Sequence, residues 1–192
     1  MFAALVLLAI GWQVAAIQYG FIPRDFLANG WSDDPIRAWL SPIASVFIPR
    51  DLLSAVFDLV LLLITGRFVE KALGPVGLGV VALAGTYASA AGRLLLTPGS
   101  LVPGAGLDPI FFAMIGCYFM LYGLPRSLPI GVGQARPVRI AMLAGIWFGI
   151  QLVFSLVGQN FEFSVSYVEP IFALIAGMAL ARPLHKWQYR RA

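Results

Sequence analysis

The stretch FIPRDLLSAVFDLVLLLITGRFVEKALG, residues 47–74, carries the pattern that decides the fold. Residues 47–66 of it are apolar for long enough to cross a membrane as a helix. One acid, Asp58, lies near the middle of that run. Carboxylates inside a membrane are costly, and those that occur usually face the interior of a helix bundle or a water-filled cavity. The stretch therefore predicts a spanning helix that is packed among other helices.

The composition of the whole chain agrees with a membrane-embedded bundle. Of its 192 residues, 60% are hydrophobic and 11% are charged, whereas a soluble domain is roughly half apolar and a quarter charged. Six apolar segments of spanning character can be marked, at residues 2–21, 47–66, 74–96, 108–124, 140–157 and 166–181. We therefore expect an all-α integral membrane protein of six transmembrane helices, with residues 1–192 forming a single membrane domain and the first segment retained rather than cleaved.

The basic residues predict the orientation of this bundle. Lys and Arg are enriched in the cytoplasmic loops of membrane proteins. The larger group here contains Arg67, Lys71, Arg126, Arg136, Arg139, Arg182, Lys186, Arg190 and Arg191. The smaller group contains Arg24, Arg37, Arg50 and Arg93. Both termini should then be cytoplasmic, with residues 182–192 as a short basic tail near anionic lipid. Arg outnumbers Lys, which suggests a GC-rich bacterial genome. We therefore expect the protein in a bacterial cytoplasmic (inner) membrane.

Other features of the sequence exclude several classes of function. The single cysteine, Cys117, excludes an internal disulfide and a cysteine cluster for metal. No cofactor or metal site is expected, and the net charge of +4 requires no nucleic acid. The connection 22–46 carries Trp31 and Trp39, which are typical of the membrane interface. Membrane lipids are therefore expected partners.

Small residues predict how the helices pack. Ala173 and Gly177 in the sixth segment have small-xxx-small spacing, which lets two helix backbones approach closely. We expect this face to pack within the bundle, and a dimer interface is the alternative.

Two further acids lie at the ends of predicted spans. Asp108 precedes Pro109, and this pair is typical of a helix start, where Asp caps free backbone N–H groups. Glu169 precedes Pro170 in the first turns of the sixth segment, where a carboxylate favours the helix dipole. Asp58, in the middle of its span, has no such local explanation.

Part of the opening stretch resembles the second span and the following turn of the rhomboid intramembrane proteases. That family has H-x-x-x-N on the span and G-x-x-x-E-x-x-x-G after it. The second motif is present here as Gly66, Glu70 and Gly74. The two positions of the first motif are occupied by Ser54 and Asp58.

Two later stretches resemble the catalytic spans of the same family. Its fourth span opens with G-x-S-G, and residues 106–109 of this chain read GLDP, with Asp108 at the serine position. Its sixth span has H-x-x-G-x-x-x-G. Here Ala173 and Gly177 fit the two small positions, which places Pro170 at the histidine position. The resemblance covers nearly the whole chain and implies a six-helix rhomboid-like bundle.

The departures from the family bear on activity. A rhomboid protease needs a serine nucleophile and a histidine that activates it, and neither Asp108 nor Pro170 supplies these groups. A carboxylate at the oxyanion position, Asp58, would repel the developing negative charge. The only histidine is His185, beyond the last predicted span. We therefore expect an inactive member of the family, a pseudoprotease.

The expected function is binding rather than cleavage. Such a protein would bind the transmembrane helices of partner proteins, as an accessory, assembly or structural subunit of a membrane complex, for which an energy-transducing complex is one candidate. Asp58, Asp108, Glu169 and Trp39 are the candidate residues for a cavity or a partner site. In the alternative, the three acids form an intramembrane carboxylate site that binds protons or cations. A weaker alternative is aspartyl-type intramembrane proteolysis.

Overall fold

The computed structural model describes residues 11, 14–49, 52–123, 135, 138–139, 142, 145 and 169–190. Apart from one isolated antiparallel bridge between Phe21 and Gly104, the regular secondary structure of these residues is helical. The prediction of an all-α protein is confirmed for this part of the chain. Most of the predicted span 2–21, the loop before the fifth span and nearly all of span 140–157 lie outside the described residues, as do the side chains of Ser54 and Glu169.

The connection before the second span is largely helical. It contains the short helices α1 (Pro23–Asp25) and α2 (Trp31–Asp33), a π-helical turn (Phe26–Gly30) and the longer helix α3 (Pro35–Val46). At the start of α3, the Asp34 side chain accepts a hydrogen bond from the Arg37 N–H at 3.2 Å. This side chain therefore satisfies one of the free donors of the first helical turn.

Pro42 lies inside α3 and would leave a carbonyl unsatisfied, because proline has no N–H to donate. The Ser41 hydroxyl donates to that carbonyl, on Ala38, at 2.8 Å. The helix therefore continues through Pro42 to Val46.

Helix α4 (Leu52–Leu96) contains the second predicted span from residue 52 onward and the third predicted span, and it breaks at Gly74. Gly74 has φ 72° and ψ 173°, a backbone conformation that essentially only glycine adopts, and Pro75 begins the second arm of the helix. A Cβ on Gly66 would lie 4.0 Å from Leu78 Cδ1, although a continuous helix would separate these residues by about 18 Å. The chain therefore reverses direction at Gly74.

This reversal changes two expectations. The second span was predicted to end at Gly66, with a turn over Gly66, Glu70 and Gly74. The first arm instead remains helical to Leu73, and only Gly74 leaves helical geometry. Among the described residues, Asp58–Leu96 is the one helical stretch that is long and apolar enough to span a membrane. The six-span count remains a prediction.

Helix α5 (Asp108–Tyr122) is shorter than a typical span and ends at Gly123. Its N-cap is Leu107, which makes no side-chain cap bond, and Asp108 is already in the first helical turn. The expectation that Asp108 caps this helix is therefore wrong. The carboxylate still lies where the helix dipole favours negative charge.

Helix α6 (Glu169–Tyr189) continues beyond the predicted end of the sixth span at residue 181. The segment predicted as a basic tail is thus helical as far as Tyr189. It contacts the reversal of α4, since a Cβ on Gly74 would lie 3.0 Å from Gln188 Nε2. The last turns of α6 are therefore held against α4 rather than extending away from the bundle.

The two arms of α4 pack against α5 and α6 around a shared apolar core. Its buried members are Val69, Leu73, Val81, Ala113, Met114, Cys117, Ala173 and Ala181. Small residues control the closest approaches. A Cβ on Gly177 would collide with the Ala113 backbone, and one on Gly116 would collide with the Leu174 backbone. We call this backbone-to-backbone contact of α5 and α6 the seam, and it places the small face of α6 inside the bundle.

Candidate functional site

A polar cavity of about 30 Å³ lies at the end of the bundle where α4 ends and α5 and α6 begin. A volume of this size holds about one or two water molecules. Its lining residues come from the segment before α1, from α3, from the second arm of α4 and the connection after it, and from α5 and α6. They are Phe21, Pro42, Ser45, Thr86, Ser89, Ala90, Arg93, Gly104, Ala105, Gly106, Asp108, Pro109 and Pro170. Six parts of the chain therefore meet at one small polar site.

Two residues that the sequence resemblance predicts at the positions of the family's catalytic pair meet in this cavity. Asp108 lines it from the first turn of α5, and Pro170 lines it from the first turn of α6. The two helices bring these residues together because the seam holds α5 and α6 in close contact along their following turns. The first turns of both helices thus open onto the same space.

The hydroxyl groups in the cavity wall are engaged with main-chain carbonyls. Ser45 Oγ donates to the Pro42 carbonyl at 2.7 Å, and Thr86 Oγ1 donates to the Ala82 carbonyl at 3.0 Å. Both side chains are buried, as is that of Ser89. Because Ser45 and Thr86 give their hydrogens to their own helices, they present acceptor lone pairs to any water in the cavity.

Arg93 brings a positive charge to the cavity, which the sequence did not predict. In the sequence, Arg93 counted only as one of the four basic residues in the smaller orientation group. The side chain is instead 6% exposed and lines the cavity. Its Nη2 donates to the Val102 carbonyl at 2.9 Å. The signal that could have indicated this role is the Pro- and Gly-containing connection that follows, which folds back over the end of its own helix.

Two of the predicted site residues lie away from this cavity. Asp58 is buried, at 7% exposure, and has an interaction partner, but it is not part of the lining. Trp39 is more than half exposed, and its ring packs edge-on against Phe26 with ring centres 5.7 Å apart. Of the two acids Asp58 and Asp108, only Asp108 therefore lines this cavity.

The main chain of Trp39 nevertheless helps to position the cavity wall. Tyr87, on the second arm of α4, donates its hydroxyl hydrogen to the Trp39 carbonyl at 2.8 Å. This bond joins α3 to α4, from the residue next to Thr86 to a residue six positions before Ser45. It therefore fixes the distance between two walls of the cavity.

The only histidine lies at the other end of α6. His185 packs against Tyr189, with ring centres 4.6 Å apart. Fifteen residues separate it from Pro170, which corresponds to about 22 Å along the helix. The imidazole is therefore far from the cavity, near the contact between Gln188 and Gly74.

Comparison with known protein families indicates the class of protein to which this fold belongs. A family model for the Rhomboid domain matches residues 37–187, which is most of the chain and runs from within α3 to within α6. The chain belongs to the rhomboid family, and it is therefore an integral membrane protein. The resemblance inferred from the motifs is confirmed at this level. No significant match to a curated protein or to a solved structure was found.

Proposed function

We propose that this chain is a non-catalytic member of the rhomboid family that binds the transmembrane helices of partner proteins. In this role it would be an accessory, assembly or structural subunit of a membrane complex, in the cytoplasmic membrane of a bacterium. The observation that carries the proposal is that Asp108 and Pro170 line one cavity. The sequence resemblance predicts these two residues at the family's serine and histidine positions.

The chemistry of these two residues supports binding over acyl transfer. A serine nucleophile depends on a neighbouring base to remove its proton. Proline has no titratable side chain, and a carboxylate at the serine position has no hydroxyl to activate. Ser45, Thr86 and Ser89 also line the cavity, but the one imidazole of the chain lies about 22 Å along α6 from Pro170. None of these hydroxyls has it within hydrogen-bond reach.

A helix-binding role also agrees with the surface of α4. The first arm exposes large apolar side chains to its surroundings, among them Leu59, Leu63 and Ile64. In lipid such a face gains little from the hydrophobic effect, so its partners are selected by shape and by polar contacts. Transmembrane helices of other proteins are ligands of this kind.

Proteolysis is tested with the purified full chain in liposomes that contain fluorescently labelled single-span substrates. An active rhomboid protease serves as the positive control. We expect no cleavage product above that of empty liposomes, because no nucleophile–base pair is available. A single specific product that disappears in the Asp108→Ala variant would instead show carboxylate-dependent proteolysis and overturn the proposal.

Binding is tested by placing a photo-crosslinking amino acid at the exposed positions Leu59 and Leu63, in the native membrane. A matched control carries the same group at Trp31, which is exposed but lies in the connection before α3. We expect discrete adducts with a membrane protein from the α4 positions. Adducts with lipid alone at both α4 positions would contradict a helix-binding role for this face.

A further inference from the structure

The end of the bundle at the reversal of α4 carries a high positive charge. We call residues 67–76 of α4 together with residues 182–190 of α6 the reversal end. Its five basic side chains are all exposed: Arg67, Lys71, Arg182, Lys186 and Arg190. These two ranges contain a single acid, Glu70. One end of the bundle therefore presents a basic surface.

The contact between α4 and α6 makes this basic surface part of the fold. The Gln188 side chain packs on Gly74, with its Nε2 3.0 Å from the position of a Cβ there. The Arg190 N–H donates to the Lys186 carbonyl at 3.1 Å, so the last turn of α6 extends to its final basic residue. Because Arg182, Lys186 and Arg190 are spaced four residues apart, they share one face of the helix. The sequence indicated only a basic tail, whereas the structure joins that tail to the basic residues of α4.

On both helices, the exposed surface changes from apolar to basic within about one turn. On the first arm of α4, Leu63 is 65% exposed and is followed four residues later by Arg67. On α6, the exposed Ala179 is followed three residues later by Arg182. Both helices run towards the reversal, so these two changes occur on the same side of the bundle. In an integral membrane protein, long basic side chains at such a boundary reach from the hydrocarbon into the headgroup layer.

Exposed aromatic rings accompany the basic residues at this end. Trp187 and Tyr189 are 37% and 63% exposed near the end of α6. Tyr122, at the end of α5, is 47% exposed and donates its hydroxyl hydrogen to the Phe68 carbonyl at 3.0 Å. Tryptophan and tyrosine are enriched at the membrane–water interface because each ring has an apolar body and a polar group. The combination of exposed rings and exposed cations therefore matches the headgroup layer of a membrane.

The opposite end of the bundle has the reverse balance of charge. The connection before α3 lies at this opposite end, since the Arg24 N–H donates to a carbonyl just after α4 at 3.3 Å. Residues 22–37 carry three exposed acids, Asp25, Asp33 and Asp34, and two basic residues, Arg24 and Arg37. Because basic surfaces attract anionic headgroups, this distribution of charge favours anionic lipid at the reversal end.

We propose that the reversal end binds the headgroups of anionic phospholipids. Guanidinium and ammonium groups form charge-assisted hydrogen bonds with phosphate oxygens, and each basic residue near an anionic membrane surface strengthens the attraction by up to about fivefold. Lipids bound there hold the end of α6 and the reversal of α4 at the level of the headgroups. This binding is separate from the proposed function, because it uses a different surface and needs no partner protein.

The lipid preference can be measured with a fluorescent probe on the full chain in liposomes. The native Cys117 is buried, so Val76→Cys supplies the thiol for the probe, at a position that is 61% exposed within the reversal end. Quenching by nitroxide-labelled phosphatidylglycerol is compared with quenching by equally labelled phosphatidylcholine, in bilayers otherwise made of phosphatidylcholine. We expect at least about fivefold enrichment of the anionic lipid at low salt. The enrichment should fall below about twofold in about 1 M salt, where the Debye length is about 3 Å.

The charges are tested with two matched pairs of substitutions. Lys71→Gln with Lys186→Gln removes two exposed cations of the reversal end and should lower the enrichment below about twofold. Arg24→Gln with Arg37→Gln removes two cations from the opposite end and should leave the enrichment unchanged. The proposal is overturned if the two labelled lipids quench the probe equally before any charge is removed. It is also overturned if the two pairs of substitutions lower the enrichment equally.

Maleimide labelling of Cys117, in the same charge variants without Val76→Cys, reports unfolding. If a pair of substitutions exposes Cys117, the single variants Lys186→Gln and Arg24→Gln decide by the same comparison. Lys186→Gln should then lower the enrichment by at least about twofold, and Arg24→Gln should leave it unchanged. Equal quenching by the two lipids would remove lipid binding by the reversal end and leave the proposed function untouched. Detection of substrate cleavage would overturn the proposed function without changing the lipid preference.

Discussion

The seam between α5 and α6 and the cavity at their first turns are lined by residues of opposite character. In the seam, Gly116 and Gly177 let main chains touch, and the surrounding side chains are apolar and buried. In the cavity, the same two helices carry Asp108 and Pro170, and the opposite walls contribute hydroxyls and a buried guanidinium. One pair of helices is thus close-packed along its length and separated by polar space at one end.

The difference shows that the two regions depend on different properties of the chain. The seam depends on the absence of side-chain atoms, so almost any larger residue should damage it. The cavity depends on hydrogen bonds made by parts that are distant in sequence, so that single losses should be smaller. Three substitutions test this contrast, and each can be read from the thermal unfolding of the purified chain in detergent.

The largest effect is expected in the seam. Gly177→Leu would drive a side chain into the Ala113 backbone, which cannot move without separating α5 from α6. We expect a loss of more than about 3 kcal/mol of stability, beyond the usual range for overpacking because the obstacle is main chain. Gly79→Leu is the matched control, since Gly79 is exposed and has nothing within 4 Å of its Cβ position. Equal destabilisation of the two variants would refute the seam as the tighter region.

An intermediate effect is expected at the reversal of α4, which brings both arms into position for the seam and the cavity. Gly74→Ala requires an alanine at φ 72° and ψ 173° and crowds the Gln188 side chain. We expect a cost of about 1–3 kcal/mol, the range for a residue held in such a region. Gly79→Ala, inside a regular helix, should instead be neutral or stabilising by up to about 1 kcal/mol. A harmless Gly74→Ala would mean that the reversal does not depend on glycine.

The smallest effect is expected in the cavity wall. Tyr87→Phe removes the hydroxyl that donates to the Trp39 carbonyl and leaves the ring in place. We expect a loss of about 1 kcal/mol, typical of one hydrogen bond. Tyr189→Phe, at an exposed tyrosine near the end of α6, is the control and should change little. If Tyr87→Phe destabilises the chain as much as Gly177→Leu, then a single loss in the cavity wall costs as much stability as one in the seam. The proposed difference between the two regions would then be refuted.

Several features could be predicted because they depend on local composition. The apolar run before Gly74 and the one after Pro75 indicate helices by length and hydropathy alone. The small-xxx-small spacing of Ala173 and Gly177 indicates a close helix contact for the same reason. Family membership could be inferred from Gly66, Glu70 and Gly74 together with the later motifs, and the match over residues 37–187 confirms it.

Other features could not be read from neighbouring residues. Asp-Pro is typical of a helix start, and α5 does begin at Asp108. The N-cap position is nevertheless occupied by Leu107, because the preceding turn is fixed by contacts with α3. The basic residues after Ala181 resemble a solvated tail, yet α6 continues because its last turns contact the reversal at Gly74. In both cases a tertiary contact overrides a local preference.

The sequence by itself determined that this protein is helical, belongs in a membrane and has one histidine, since these are properties of composition and order. The sequence resemblance also predicts that Asp108 and Pro170 occupy the positions of the family's catalytic pair. Only the tertiary structure decided that these two residues share a cavity, that Asp58 and Trp39 do not line it, and that Arg93 does. The physical reason is that a cavity is formed by several helix ends at once. Its lining depends on where the chain reverses at Gly74 and on how closely α5 and α6 approach.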